Sequence, residues 1–241
     1  MPARGPTPTA RSDRAVPESA RLRGKIELVL PDLWIAGDDL FTHPGIAQLY
    51  SEYLLLCHWV VRASVPLMET ARRRAEELSA ADPVAKALTG YLASHIVEEL
   101  DHDEWLLEDL ESLDIPRAQT LQRPPSATVA GLVGAQYYWI LHYHPVALLG
   151  YITVLESYPM SREAIDDLAA RTGLGPAAFR TLVEHAEVDP GHAGALRRTI
   201  DALPLTRAQS SLLGSSAMHT VVTLATAFRE VAAAAPVDRP A

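Results

Sequence analysis

The sequence predicts an all-α protein, a single bundle of about seven or eight helices. No useful stretch alternates polar and apolar residues with the period of two that marks a β-strand. Several segments instead repeat apolar residues every three or four positions, as amphipathic helices do. Helix-start signals recur along the chain, and 241 residues are enough for one domain with a sizeable core.

The predicted helices follow one another along the chain with mostly short connections. The first covers residues 21–40, and Pro31 should kink or break it, because proline cannot donate a helical hydrogen bond. Asp82 with Pro83, and Ser126, are start signals for two of the helices that follow. After the first helix, the predicted ranges are 44–78, 83–113, 126–144, 145–157, 161–173, 176–203 and 206–234.

The ends of the chain differ in composition from the predicted domain. Residues 1–20 are rich in Pro, Ser, Thr and Arg and lack periodicity, which predicts a disordered N-terminal tail. We expect the helical domain to span 21–235 and a second disordered tail to span 236–241. The single cysteine, Cys57, lies in an apolar run and is expected to be a buried, inert thiol.

Charge and hydropathy exclude several function classes. A net charge of -9 argues against nucleic acid as a partner. The N-terminus has no apolar secretion signal, and the longest apolar stretch, 137–155, is interrupted by Pro145 and Gly150. This stretch therefore predicts two core helices and no membrane span. A cytoplasmic location follows as an expectation.

One pattern, His-x3-acid-x2-His, occurs twice and indicates a metal site in two halves. Spacings of four and three place three side chains on one helical face. Both faces are otherwise apolar, so these polar groups should be buried, as should Glu156 at the end of a third apolar stripe. Buried charges are costly unless they are paired or bind metal. The two halves are His95, Glu99 and His102, and His185, Asp189 and His192.

The residue types and their number indicate which metals fit. Imidazole and carboxylate without thiolate suit iron, manganese or zinc. Two copies of the pattern and Glu156 supply too many ligands for one catalytic ion and about enough for two. Two divalent ions against the carboxylates of Glu99, Glu156 and Asp189 leave a net charge near +1, which favours a substrate that carries a carboxylate.

Several neighbours of the pattern have two interpretations. His95 could bind metal or hydrogen-bond a carboxylate beside it. Pro190 could distort one helix and aim His192, or it could end that helix before His192. His142 and His144 could line a pocket but are expected to be packed or surface groups. The acids expected to face solvent are Glu98, Asp101, Asp103 and Glu104.

These residues resemble the haem-oxygenase-like diiron oxidases and oxygenases, a superfamily of iron-containing redox enzymes. Its pattern is a Glu near a His on one core helix, a lone Glu on a middle helix, and His-x3-Asp-x2-His on a later helix. The match covers roughly residues 45–205. The resemblance implies one iron held by Glu99, His102 and His185, and a second held by Glu156, Asp189 and His192. Some relatives carry a metal-binding Glu at position 95, so the first site's ligand set stays open.

The resemblance also implies an activity. Such enzymes use two Fe(II) ions and O2 to desaturate, cleave, decarboxylate or N-oxygenate a small carboxylate-bearing metabolite, and we expect an amino acid in a specialised biosynthetic pathway. The resemblance implies no catalytic residue beyond the metal ligands, and it is compatible with a homodimer. Two alternatives stay open: a metal-dependent hydrolase that uses metal-activated water, and a non-catalytic protein that binds metal or a partner.

Overall fold

The computed structural model describes residues 16–234 and confirms the all-α class. Within this range ten α-helices and one 3-10 helix, Pro176–Phe179, are present, and no strand occurs. The α-helices are α1 (Glu18–Phe41), α2 (Ile46–Leu78), α3 (Pro83–Glu98), α4 (His102–Glu111), α5 (Arg117–Gln122), α6 (Ala127–His142), α7 (Ala147–Ser157), α8 (Arg162–Thr172), α9 (Arg180–Ala202) and α10 (Arg207–Ala233).

The helix count exceeds the predicted seven or eight for local reasons. The predicted helix 83–113 is two helices, α3 and α4, and the predicted loop 114–125 contains α5. Residues 176–179 form a 3-10 turn before α9 begins. Helix α1 continues through Pro31 and begins at Glu18, inside the segment predicted as a disordered tail. The rest of that tail, up to residue 15, and the predicted tail 236–241 lie outside the described residues.

Side-chain caps fix several helix starts where the sequence predicts them. The Asp82 carboxylate accepts hydrogen bonds from the backbone N–H groups of Val84 and Ala85. The hydroxyls of Ser126 and Ser161 each accept one from the first turn of α6 and α8. These caps satisfy N–H groups that have no partner inside the helix.

Two long helices organise the bundle. Helix α10 packs against α1, α6 and α7, and α2 packs against α3, α4 and α6. Among the described residues, α10 is the one helix long and apolar enough to cross a membrane, and half of its apolar window is buried in the bundle. Its apolar residues, such as Leu213 and Val221, belong to the core. Packing therefore accounts for its hydropathy.

Helix α7 lies unusually close to α10, and Gly150 permits the approach. A Cβ at this position would lie 2.8 Å from the backbone nitrogen of Ala217 and closer still to the carbonyl oxygen of Leu213. Only glycine allows two helix backbones to come this near. This contact sets the position of α7, whose last turn carries Glu156.

Candidate metal centre

The first half of the repeated pattern spans the break between α3 and α4. His95 lies in α3, Glu99 is the C-cap residue of that helix, and His102 is the first residue of α4. Between them, Asp101 adopts a left-handed conformation with φ of 66°. The expectation that all three share one face of a continuous helix is therefore wrong. The turn nevertheless keeps Glu99 and His102 in contact, with 3.2 Å between an Oε2 and an Nδ1.

The second half lies on one helix, as predicted. Helix α9 runs unbroken from Arg180 to Ala202 and includes Pro190, so the interpretation that this proline ends a helix before His192 is wrong. His185 lies four residues before Asp189, which is buried. Glu156 reaches the same region from α7, where 7% of its surface is exposed.

The structure brings candidate ligands into two overlapping groups. In the first, Glu99, His102 and His185 offer donor atoms that all lie within 4.8 Å of one another. This is the set predicted for one iron. In the second group, His95, Glu99 and Glu156 meet the same limit. The closest pair is His95 Nε2 and Glu156 Oε1, 2.6 Å apart.

The second group differs from the set predicted for the other iron. That set joined Glu156 with Asp189 and His192, whereas the structure places His95 directly against Glu156. His192 instead lies beside Glu99, with 3.5 Å between its Nδ1 and an Oε1. Asp189 lines the same cavity as His95, Glu99 and Glu156. All seven candidate side chains thus face one region, and their division between two ions stays a prediction.

Glu98 contacts two of the candidate ligands, a role that the sequence did not predict. It was expected to face solvent, and half of its side chain does so, yet its Oε2 lies 3.1 Å from His95 Nδ1 and 3.9 Å from His192 Nε2. A carboxylate on one ring nitrogen orients a histidine and makes the other nitrogen a better ligand. Glu98 is therefore placed to direct His95 Nε2 towards the cluster.

A second group of supporting contacts is a series of hydrogen bonds that starts at Asp109, which is fully buried on α4. Its Oδ2 accepts a hydrogen bond from the backbone N–H of Thr181 at 3.1 Å. The carbonyl of Thr181 accepts one from His185 Nδ1 at 2.8 Å, because a carbonyl can only accept. His185 Nε2 is consequently the nitrogen left for a ligand. Trp105 covers this corner, stacked on the His102 ring with centroids 4.1 Å apart.

The pKa values of the cluster indicate that its buried carboxylates lack a compensating positive charge. Burial, together with the charges of Glu156 and Glu99, raises the pKa of Asp189 to about 8. Burial also raises the pKa of Glu156, although His95 opposes the shift. Burial by itself lowers the pKa of His95, but the hydrogen bond and the charge of Glu156, together with Glu98 and Glu99, outweigh it and raise this pKa to about 9. A bound cation would keep these carboxylates ionised and would replace the proton on His95.

Unpartnered buried atoms test whether a metal fits the cluster. Glu156 Oε2, His102 Nδ1 and His192 Nδ1 are buried without a hydrogen-bond partner of acceptable geometry. Buried polar atoms normally have partners, and metal coordination would satisfy these three. The donors are imidazole nitrogens and carboxylate oxygens, which suit iron. The residues present therefore fit a bound metal.

The cluster opens onto an apolar cavity of about 230 Å³, called here the inner cavity. His95, Glu99, Glu156, His185 and Asp189 form its polar end, and most of the remaining wall is apolar. Among the described residues that line it, none is Lys or Arg. The apolar wall includes Leu56, Val60, Met68, Leu106, Leu148, Ile152, Leu155 and Leu224. The inner cavity thus offers a hydrocarbon surface beside the candidate ligands.

The other residues considered from the sequence lie elsewhere or have structural roles. His144 is buried against Asp82, with Nε2 and Oδ2 3.1 Å apart, and His142 is exposed at the end of α6. Cys57, which was expected to be buried, is half-buried and lines the inner cavity, and burial raises the pKa of its thiol to about 12. The apolar run predicted as two core helices is α6 and α7.

Solved structures of low sequence identity share this fold. A domain of unknown function with a haem oxygenase-like fold from Shewanella denitrificans OS217 has a TM-score of 0.71 at 16% identity, covering 88% of this chain and 89% of that one. A TenA homologue from Pseudomonas syringae pv. tomato DC3000 has a TM-score of 0.62 at 12% identity, with 91% and 98% covered. Haem oxygenase from Leptospira interrogans has a TM-score of 0.57 at 15% identity, with 89% and 100% covered.

Sequence comparison assigns the family. No curated protein sequence matches the chain. The family described as "Iron-containing redox enzyme" matches residues 54–221, a range that contains every candidate ligand from His95 to His192 and the inner-cavity wall from Leu56 to Leu155. The fold and the imidazole and carboxylate cluster agree with that description. The chain therefore belongs to the iron-containing redox enzymes, with a haem-oxygenase-like fold.

Proposed function

We propose that this protein is a non-haem diiron oxidase or oxygenase that uses O2 to oxidise a carboxylate-bearing substrate with an apolar chain. One observation carries the proposal: a buried cluster of histidines and carboxylates opens directly onto an apolar cavity. When bound, the iron pair would supply the redox chemistry. The protein contributes ligands, a water-poor cavity and the placement of the substrate.

The ligand geometry supports two neighbouring metal positions. We propose Glu99, His102 and His185 for one iron, because their donor atoms already lie within 4.8 Å of one another. For the other we retain Glu156, Asp189 and His192 and add His95. The contact from Glu98 to His95 Nδ1 supports this addition, since it leaves Nε2 directed at Glu156.

The cavity lining supports the substrate class. A carboxylate entering the inner cavity meets no lysine or arginine among the described wall residues, so the metal pair is the positive partner available to it. The rest of the substrate must then lie against aliphatic and aromatic side chains. This favours a fatty acid or a similar acid over a polar amino acid, and the amino-acid substrate expected from the sequence stays a prediction.

The test is oxygen-dependent turnover by iron-loaded protein. Purified protein is loaded anaerobically with Fe(II), its iron content is measured, and it is then mixed with air and either straight-chain carboxylic acids or apolar amino acids. We expect about two irons per chain, O2 consumption that depends on the acid, and an oxidised product detected by mass spectrometry. Product formation without O2 would contradict the proposal and favour a hydrolase.

A pair of matched variants connects turnover to the cluster. Glu156→Gln removes a proposed ligand charge, whereas Glu163→Gln makes the same change at an exposed residue of α8. We expect Glu156→Gln to lower iron content and to lose turnover, and Glu163→Gln to behave as wild type. Equal turnover in both variants would show that the chemistry takes place elsewhere.

A further inference from the structure

A second cavity, called here the outer cavity, adjoins the inner cavity, and none of the candidate ligands lines it. It has a volume of about 540 Å³ and lies among α1, α2, α8 and α10. Five residues line both cavities and form the wall between them: Tyr53, Tyr158, Pro159, Met160 and Phe228. We propose that the outer cavity is a chain-length subsite, which holds the far end of an apolar substrate whose carboxylate lies at the metals. This inference rests on the proposed function.

The volumes support a shared site. Ligand sites usually occupy about 300 to 1,000 Å³, and the inner cavity, at about 230 Å³, falls below that range. It could hold a short chain alone, whereas a longer chain needs the outer cavity as well. The wall between them can yield, because Met160 is flexible and lies in the short connection between α7 and α8. Tyr53 and Phe228 meet edge to face, with ring centroids 5.9 Å apart.

Gly37 gives an independent indication that this space is kept open. It lies buried in the interior of α1 and lines the outer cavity. A glycine there costs about 0.5 to 1 kcal/mol relative to alanine. Packing does not require it, since a Cβ would lie at ordinary contact distances, 3.7 Å from Phe41 and 3.8 Å from Phe228. A larger side chain at this position would project between these rings into the cavity.

The lining of the outer cavity combines apolar residues, which fit the end of an apolar chain, with polar ones. Leu30, Leu33 and Phe41 form part of its wall. Arg171, also in the wall, is paired at 2.7 Å with Asp167, which lines the same cavity. Trp34 borders the cavity with 60% of its surface exposed, which makes its fluorescence a local reporter.

The first test compares two glycine variants of one helix. Gly37→Leu fills the outer cavity, whereas Gly24→Leu replaces an exposed glycine of α1 with no neighbour within 4 Å. Binding of octanoate and hexadecanoate is measured by calorimetry on zinc-loaded protein, which performs no redox turnover. We expect Gly37→Leu to weaken hexadecanoate binding by about tenfold or more, because each excluded methylene loses about a factor of four. Octanoate should change by less than about twofold, and Gly24→Leu should match wild type.

The second test locates the chain in the wild-type protein and does not depend on how a variant folds. A hexadecanoate with bromine on its terminal carbon should quench Trp34 fluorescence, and the Trp34→Phe variant should lose that quenching. Quenching of Trp34 by an acid brominated beside the carboxylate instead would overturn the proposed orientation.

The outcomes separate this inference from the proposed function. If wild type binds octanoate but not hexadecanoate, or if Gly37→Leu binds both as wild type does, the outer cavity is not a subsite and the proposed function stands. If wild type binds neither acid, both the subsite and the proposed substrate class are wrong.

Discussion

Asp109 shows how one buried carboxylate shapes the candidate centre without reaching it. It is fully buried on α4, the helix that begins with His102, and it holds the first turn of α9, the helix that carries His185. The protein keeps this charge in its core although burial raises its pKa to about 6. A buried charge of this kind costs stability, so its retention is best explained by the position it gives His185.

The replacement Asp109→Asn is expected to remove a pH-dependent loss of stability in metal-free protein. Because burial raises the pKa of this carboxyl from 3.8 to about 6, the folded state keeps a proton that the unfolded state has already released. The free energy of unfolding of wild type therefore falls as the pH rises from about 4 to about 6. The free energy of unfolding of the variant does not fall in this way. The difference between the variant and wild type therefore grows in the variant's favour from about pH 4 to about pH 6 and is constant at higher pH.

Urea unfolding at a series of pH values measures this difference. Asp166→Asn, at an exposed residue of α8 paired with Arg162, serves as the control and should follow wild type. A difference between Asp109→Asn and wild type that does not change with pH would contradict the assignment.

At the scale of elements, the break between α3 and α4 is the feature that forms the first ligand group. The left-handed turn at Asp101 separates the two helices and leaves Glu99 and His102 in contact. Aspartate tolerates this conformation better than most residues, whereas a β-branched residue is strained there. The turn is therefore open to a test by substitution.

We expect Asp101→Val to lower both stability and metal affinity. The left-handed conformation should cost valine about 1 to 2 kcal/mol, and partial relief of that strain would displace His102. Asp114→Val is the matched control, because Asp114 is also exposed and left-handed, with φ of 61°, and lies outside the cluster. Both variants should lose similar unfolding free energy, and only Asp101→Val should weaken Co(II) binding, by about tenfold. Equal Co(II) affinity in the two variants would contradict this role for the turn.

Local sequence signals predicted many helix boundaries and failed where tertiary contacts decide the structure. Asp82, Ser126 and Ser161 cap their helices as expected, because a cap depends on residues within one turn. The break at residues 99–101 contains neither Gly nor Pro, so periodicity alone continued the helix through it. The pairing of His95 with Glu156 joins α3 to α7, and no spacing along the chain reveals such a contact.

At the scale of the whole molecule, the candidate ligands tie together helices that are distant in sequence. They come from α3, the turn after it, α4, α7 and α9. In metal-free protein, buried carboxylates such as Asp189 and Glu156 are poorly compensated, as their raised pKa values show. Metal binding should therefore stabilise the entire bundle as well as the site.

Ferrous iron is expected to raise the melting temperature of metal-free protein under anaerobic conditions. At a hundredfold excess over the dissociation constant, the stabilisation is about 2.7 kcal/mol, or about 5 to 10 °C for a domain of this size. A chelator should reverse it, and Glu156→Gln should largely lose it. Differential scanning calorimetry measures the shift, and an equal rise in Glu156→Gln and wild type would indicate iron bound at the surface instead.

The close approach of α7 to α10 has a consequence for how variation in this protein is interpreted. Gly150 touches no candidate ligand, yet any side chain there would drive two backbones apart and carry Glu156 away from His95. In a survey of random mutants, substitutions at Gly150 would then lower metal content and turnover, as substitutions of a metal ligand do. The effect of a substitution at Gly150 therefore reports on the distance between α7 and α10, and the chemistry at the metals depends on that distance.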